Sequence, residues 1–259
     1  MKKIKNIFVI LVYAFLFLPI IILVIYSFNS SSMNIIFEKF TFSWYKELFN
    51  NSDLISSFIN TLIVAGVSTV ISTIVGTISA YGLYKYEFPF KKLINGLIYI
   101  PIVIPEIVLG ISLLSIFTLM KLELSLFTII LSHIAFSIPF VIVSVRSTLS
   151  KETKYLEEAG RDLGAGDFII FKEIIMPIIW PSIVSGATLA FTLSLDDVVI
   201  SYFTAGPGSN TLPLYIYSMI KTGVTPDVNA LSTLLMLFVL VILISVTIYQ
   251  SRKIKRGII

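Results

Sequence analysis

Cysteine is absent and histidine occurs once, as His133. Disulfides, thiolate zinc sites, iron–sulfur clusters, cysteine nucleophiles and sites built from several histidines are therefore excluded. Charge is also scarce. Asp, Glu, Lys and Arg make up 13% of the 259 residues, about half the ~25% of an average soluble domain. With 56% hydrophobic residues and a mean hydropathy of +0.96, an ordinary soluble fold is excluded. The chain has no Gly-x-x-x-x-Gly-Lys-Ser/Thr loop: Gly76 and Gly82 lie in an apolar run with no lysine after them. It therefore has no Walker-type phosphate cradle of its own. No apolar segment alternates with period two, which excludes a membrane barrel.

What the chain does have is long apolar runs. Lys2, Lys3 and Lys5 precede an uncharged stretch from Ile7 to Phe28. A signal peptide has an apolar core of about 7–15 residues and a small-residue cleavage site. This run is longer and lacks the site, so it reads as a retained span. Further spans are expected near 58–84, 93–120, 124–146, 176–200 and 228–250, each close to the ~20 residues a bilayer requires. Thr225 and Pro226 look like the N-cap and first residue of the last one. The expected fold is all-α, one membrane domain of six helices covering 1–259. No internal repeat or low-complexity tract interrupts it.

The basic residues orient these helices. With both termini inside, 15 of the 19 Lys and Arg residues face the cytoplasm, leaving Lys39, Lys46, Lys121 and Lys221 outside. The positive-inside rule favours this N-in, C-in arrangement. The net charge of +4 is thus topology charge, and no nucleic-acid partner is read from it.

The cytoplasmic loop at about 148–177 reads as helix, break, helix. Ser150 can cap a first helix whose apolar stripe is Tyr155, Leu156, Ala159 and Leu163. Gly164-Ala165-Gly166 supplies the break. Asp167 can cap a second helix carrying Phe168, Phe171, Ile174 and Ile175. Two short amphipathic helices at an angle make a knob suited to a groove on a soluble partner.

The spacing within that loop is Glu158-Ala159-Gly160, three residues, Gly164, nine residues, Ile174, one residue, Met176-Pro177. It resembles the EAA signature of ABC-importer permeases, with Gly160 in place of the third Ala and Met176 in place of Leu. Further likenesses are Ser194-Leu195-Asp196-Asp197-Val198-Val199, Gly206-Pro207, Leu212 to Met219, Val228-Asn229-Ala230-Leu231, Ser27 to Ser31 and Trp44-Tyr45. They are similar to the second permease subunit of spermidine/putrescine importers. The resemblance implies a type I permease fold in a bacterial inner membrane and transport rather than enzymatic function. Its expected partners are an ATPase dimer, a second permease subunit and an extracytoplasmic binding protein. ATP and magnesium would belong to the ATPase, with no cofactor on this chain. Glu158, Ala159, Gly160, Asp162, Gly164, Ile174 and Pro177 would form the coupling element.

Glu106, Asp196 and Asp197 are the acids within or at the ends of apolar spans. A charge at membrane depth costs roughly 2.5–3.5 kcal/mol on insertion scales, so it marks a pathway or an ion pair. At ~1.5 Å per residue, Glu106 would lie ~20 Å beyond Leu93 and Asp196 ~22 Å beyond Pro181. Converging carboxylates suit a linear polyamine, and Trp44, Tyr202 and Tyr217 could add cation–π contacts. The alternative for Asp196 and Asp197 is capping or pairing at a helix end. Pro213–Lys221 is either re-entrant at the outer end of the path or an aromatic-belt anchor. In the second span, Ser68, Ser72, Gly76 and Ala80 form a small-residue row, as do Ala65, Thr69, Thr73 and Thr77; packing within the subunit is favoured over a subunit interface. His133 reads as a packing residue and is assigned no site. The rival functions are a permease for another small cationic or polar solute, an ion-coupled transporter working alone, and a hydrolase using Ser132 or Ser137 with His133.

Because cysteine is absent, single insertions report topology cleanly. Cys at Ser31 is expected to react with an impermeant thiol reagent applied to intact cells, and Cys at Ser150 is not. Outside labelling of Ser150→Cys would reverse the orientation.

Overall fold

The computed structural model describes residues 2–31, 36–222, 226–237 and 240–241. The helices in chain order are α1 (Lys2–Tyr26), α2 (Ser43–Asn50), α3 (Ser52–Lys85), α4 (Lys91–Val103), α5 (Glu106–Leu119), α6 (Leu126–Arg146) and α7 (Lys151–Asp162). They continue as α8 (Asp167–Ile169), a π-helical stretch (Ile170–Ile175), α9 (Met176–Asp196), α10 (Val199–Thr204) and α11 (Leu212–Thr222). Residues 226–237 are helical. Among the described residues, four helical segments are long and apolar enough to cross a membrane: Phe8–Tyr26, Ser52–Lys85, Leu126–Arg146 and Asp167–Asp196. The bent pair α4 and α5 makes a fifth if it is one span. The rest of the expected sixth span beyond 228–237 and 240–241, and Thr225 before it, lie outside the described residues.

The third span, expected over 93–120 with Pro101 and Pro105 loosening it before Glu106, is sharply broken. It bends by 110° between Val103 and Glu106. Pro105 is the cause: its ring disfavours the helical region for the residue before it. Ile104 accordingly sits extended at φ −68°, ψ 137°. Pro101 remains inside α4. A straight-helix depth for Glu106 is therefore wrong; it starts a new helix instead of lying midway along one. The fifth expected span also ends early. α9 stops at Asp196 and the chain is extended at Asp197 before α10 begins.

The chain forms two compact units. In the first, Met1–Ile55 with Ile216–Ile259, the turn after α1 is tied by Asn29. Its amide donates to Ile36 O at 2.8 Å, and its side-chain oxygen accepts from Glu38 N at 3.0 Å. Phe28 stacks on Phe40 at 4.9 Å and meets Phe42 and Tyr45 at 5.4 and 5.3 Å.

The second unit, Ser56–Tyr215, centres on α6 packed along α9. Its apolar core includes Val141, Val145, Ile170, Ile175 and Ile179, all fully buried. The helices approach closely where glycine leaves room. A Cβ on Gly186 would lie 3.3 Å from Val141 Cα, and one on Gly76 would lie 2.7 Å from Val141 Cβ. The small-residue row of α3 is thus internal to the unit: Ser68, Ser72 and Ala80 are buried with no exposed surface. Elsewhere in the unit, α5 packs on α10, with Phe203 filling the space beside Gly110. The Gly206-Pro207-Gly208 turn follows, where Gly208 takes φ +73°.

Overpacking a helix interface costs about 1–3 kcal/mol. Gly76→Ala is expected to lower the yield and melting temperature of the purified chain, because α3 and α6 must separate. Gly66→Ala, whose added Cβ meets nothing within 4 Å, is the control and should leave both unchanged.

Candidate functional site

The cytoplasmic loop folds as the sequence pattern suggests, with its faces now assigned. Ser150 is the N-cap of α7, and its N–H donates to Thr153 Oγ1 at 3.3 Å. The side of α7 that packs inward is Thr153, Glu157 and Gly160. The apolar stripe faces outward instead: Leu163 is 90% exposed, Tyr155 66% and Leu156 50%. Gly164 reverses the chain at φ +80°, a left-handed conformation that costs any β-carbon strain. Phe168, 76% exposed, continues the outward face. Gly166, in place of Asp167, is the residue that caps the second helix.

Three contacts fix this hairpin to the body. A Cβ on Gly160 would lie 2.9 Å from Ile174 Cδ1, so the Gly at this position lets α7 sit against the π-helical stretch. Asp167 pairs with Lys85 at 2.9 Å and with Arg161 at 3.2 Å, tying both halves of the knob to the end of α3. Glu157 is 5% exposed, its Oε1 has no hydrogen-bond partner, and burial pushes its carboxyl above the usual glutamate range despite Lys85 and Arg161 nearby. Glu158, Ala159, Asp162, Gly164 and Pro177 are exposed, while Gly160 is buried and Ile174 half-buried. Lys85 and Glu157 had no sequence signal, since Lys85 meets a residue 82 positions away.

The second cluster lies among the apolar helices. Asp197 is 8% exposed, and both oxygens are engaged. Oδ1 accepts from Ile200 N at 3.1 Å, and Oδ2 accepts from Ser201 N at 2.8 Å and Ser201 Oγ at 2.9 Å. His133 Nε2 approaches the same Oδ2 at 3.2 Å. The other ring nitrogen, Nδ1, lies 2.6 Å from Ser194 Oγ, which in turn lies 3.1 Å from Ser68 Oγ. Four segments, from α3, α6, α9 and α10, thus meet on one imidazole–carboxylate pair. Ser68 Oγ also donates to Ala65 O at 3.4 Å.

Asp196 and Glu106, in contrast, are exposed, and Glu106 lies within Coulombic range of both Asp197 and Asp196. The capping alternative therefore holds for Asp197, which binds the first turn of α10. Tyr202 on α10 is 54% exposed, its ring edge-to-face with Phe203. Trp44 and Tyr217 belong to the other compact unit. The Trp44 indole donates to Asn29 O at 2.7 Å, and Lys221 Nζ sits 4.6 Å over the Tyr217 ring. The hydrolase alternative fails on geometry. Ser132 donates to Thr128 O at 2.7 Å, and the serines that do reach His133, Ser194 and Ser201, are buried where no substrate carbonyl can approach.

Residues 72–256 match the family described as "Binding-protein-dependent transport system inner membrane component". The spermidine/putrescine transport system permease protein PotC of Escherichia coli K12 is 42% identical over 254 residues, covering 98% of this chain and 96% of that protein. The putrescine transport system permease protein PotI of the same strain is 37% identical over 239 residues, covering 90% and 85%. Among solved structures, a bacterial ABC transporter involved in import of the acidic polysaccharide alginate shares the fold. It has a TM-score of 0.72 at 16% identity, covering 96% of this chain and 95% of that one. The MetNI methionine ABC transporter does so with a TM-score of 0.61 at 20% identity, covering 75% and 92%.

The two glycines of the knob should behave differently. A β-branched residue in the left-handed region costs on the order of 1–3 kcal/mol, so Gly164→Val should redirect the hairpin. Gly166 has φ −72° and open space around it. In a reconstituted transporter, Gly164→Val should abolish uptake while the chain still inserts, and Gly166→Ala should transport normally. Normal uptake by Gly164→Val would show that the bend is not required.

Proposed function

The chain belongs to the family of binding-protein-dependent transport system inner membrane components, and we propose that it is a permease subunit of an ATP-driven importer of spermidine and putrescine. It works in the bacterial cytoplasmic membrane with six spans and both termini inside. A second, homologous permease subunit completes the path, and an extracytoplasmic binding protein delivers the solute. The observation that carries this reading is the knob. Leu163 and Phe168 are 90% and 76% exposed on the hairpin, with Tyr155 and Leu156 also exposed beside them, an apolar face suited to a groove on a soluble partner. That partner is an ATPase dimer, which supplies the ATP and magnesium chemistry this chain has no motif for.

The mechanism is alternating access. Closure of the ATPases moves the knob at 148–177. The helix from Asp167 runs unbroken to Asp196, about 45 Å at 1.5 Å per residue. A displacement at one end therefore reaches the other without a joint. Glu158, Ala159, Asp162 and Gly164 form the docking side. Gly160 and Ile174 form the contact that seats α7 on the π-helical stretch, and Pro177 stands in the first turn of α9.

The polyamine assignment is supported by the names of the two Escherichia coli relatives. The fold does not select the solute, since the alginate transporter shares it. A linear chain of ammonium groups is matched by the exposed carboxylates of Glu106 and Asp196, backed by Asp197. Tyr202, exposed on α10 of the same unit, offers an aromatic face.

Losing a hydrogen bond to a charged group costs roughly 1.5–3 kcal/mol, or about 10–100-fold. Glu106→Gln and Asp196→Asn are each expected to lower the efficiency of radiolabelled spermidine uptake by that factor, with complex yield and basal ATP hydrolysis preserved. Amino acids and sugars should not compete. Unchanged uptake in both variants, with normal assembly, would remove the carboxylates from the path.

A further inference from the structure

We propose that His133 is a positioning residue for transport: its imidazole clamps Asp197 and Ser194, fixing the break between α9 and α10 and, through it, the seat of α10 on α5. The role in transport rests on the proposed function; the clamp itself does not.

His133 is 1% exposed and uses both ring nitrogens. Nδ1 meets Ser194 Oγ at 2.6 Å, in the last turn of α9. Nε2 meets Ser201 Oγ at 3.1 Å and Asp197 Oδ2 at 3.2 Å, at the start of α10. One rigid ring therefore spans the extended residue that separates the two helices, where Asp197 has ψ 126°. The other bonds to Asp197 come from Ile200 and Ser201, within the first turn of α10. They cap that turn without anchoring it to a neighbour. Anchoring falls to α6: His133 holds the beginning of α10, and Thr128 Oγ1 holds its end by donating to Thr204 O at 2.8 Å.

The placement has a consequence at the exposed acids. An extended residue sends successive side chains in opposite directions. Burial of Asp197 on the imidazole therefore goes with exposure of Asp196. On the far side of α10, Phe203 packs against Gly110, one turn after Glu106 at the start of α5. The clamp thus governs both Asp196, by direct chain continuity, and Glu106, through the α10–α5 contact.

Two isosteres separate this role from simple space filling. In His133→Gln the side-chain amide nitrogen falls where Nε2 was and can still donate to Asp197. In His133→Asn it falls where Nδ1 was and reaches only toward Ser194. His133→Phe keeps the volume and has no donor. A reporter that does not depend on the solute is available because the chain has no cysteine. A Cβ on Gly110 would lie 3.5 Å from Phe203 Cβ, within the ~3.5–4.5 Å range of disulfides. The pair Gly110→Cys and Phe203→Cys should therefore crosslink under mild oxidation.

The experiment uses the complete reconstituted transporter, with the crosslink measured in the cysteine pair and spermidine uptake in the cysteine-free chain. His133→Asn and His133→Phe are expected to lose the crosslink. Both should also lower uptake efficiency by about 10–100-fold, the cost of removing a donor from a buried charged acceptor. The loss should appear in the concentration for half-maximal uptake at normal complex yield. His133→Gln is expected to keep both. Full crosslinking and uptake in His133→Phe would overturn the proposal, leaving His133 as packing. Equal loss in Gln and Asn would overturn it too, as would lost uptake with an intact crosslink. If the unsubstituted transporter takes up no polyamine while the crosslink still responds to His133→Asn, the polyamine reading fails and the clamp stands.

Discussion

A carboxylate buried among apolar helices must have its oxygens satisfied, and meeting that demand at Asp197 shapes the surrounding unit. An unpaired charge in such a place is far more costly than a neutral polar group. Two backbone N–H groups, one hydroxyl and an imidazole surround it. To reach them, the chain must leave the helix after Asp196, extend for a residue and restart as α10. The break in the fifth expected span, the short helix after it and the burial of His133 follow from one acid's requirements.

Glycine does complementary work where no polar group is involved. Gly76 and Gly186 let α3 and α9 approach α6 closely around Val141, and Gly110 admits Phe203 between α5 and α10. Gly160 lets α7 rest against Ile174 and Ile170. Close backbone approach substitutes for the hydrophobic driving force that helices lack in lipid. It also makes the second unit stiff. The knob, pinned by Lys85 to Asp167, continues without interruption into the helix that ends at Asp196. A π-helical stretch, Ile170–Ile175, lies at the near end of that helix.

Much of this was legible beforehand. Apolar runs of about the right length marked the spans, because the bilayer imposes its thickness on composition. The Glu158 to Pro177 spacing marked the knob, because a capped helix, a glycine reversal and a second helix are all local patterns. The row from Ser68 to Ala80 showed a close-packing face for the same reason: helical periodicity places every fourth residue together. In the third span the prolines pointed to a loosened helix, but the size of the bend was out of reach because hydropathy is blind to backbone direction. It runs apolar through Ile104, while Pro105 turns the chain by 110°.

What the sequence by itself determined was what local chemistry can write: membrane residence, helical class and the hairpin at Gly164. What only the tertiary structure decided was which distant groups meet. Asp196 and Asp197 are neighbours of identical chemistry, yet one is exposed and the other buried on an imidazole 64 positions earlier. His133 looked like packing because its partners lie 61 to 68 residues away. Lys85 looked like topology charge until Asp167 arrived beside it. Such pairings depend on the relative placement of whole helices, which is set by close packing along their full lengths and not by any residue's immediate neighbours in the chain.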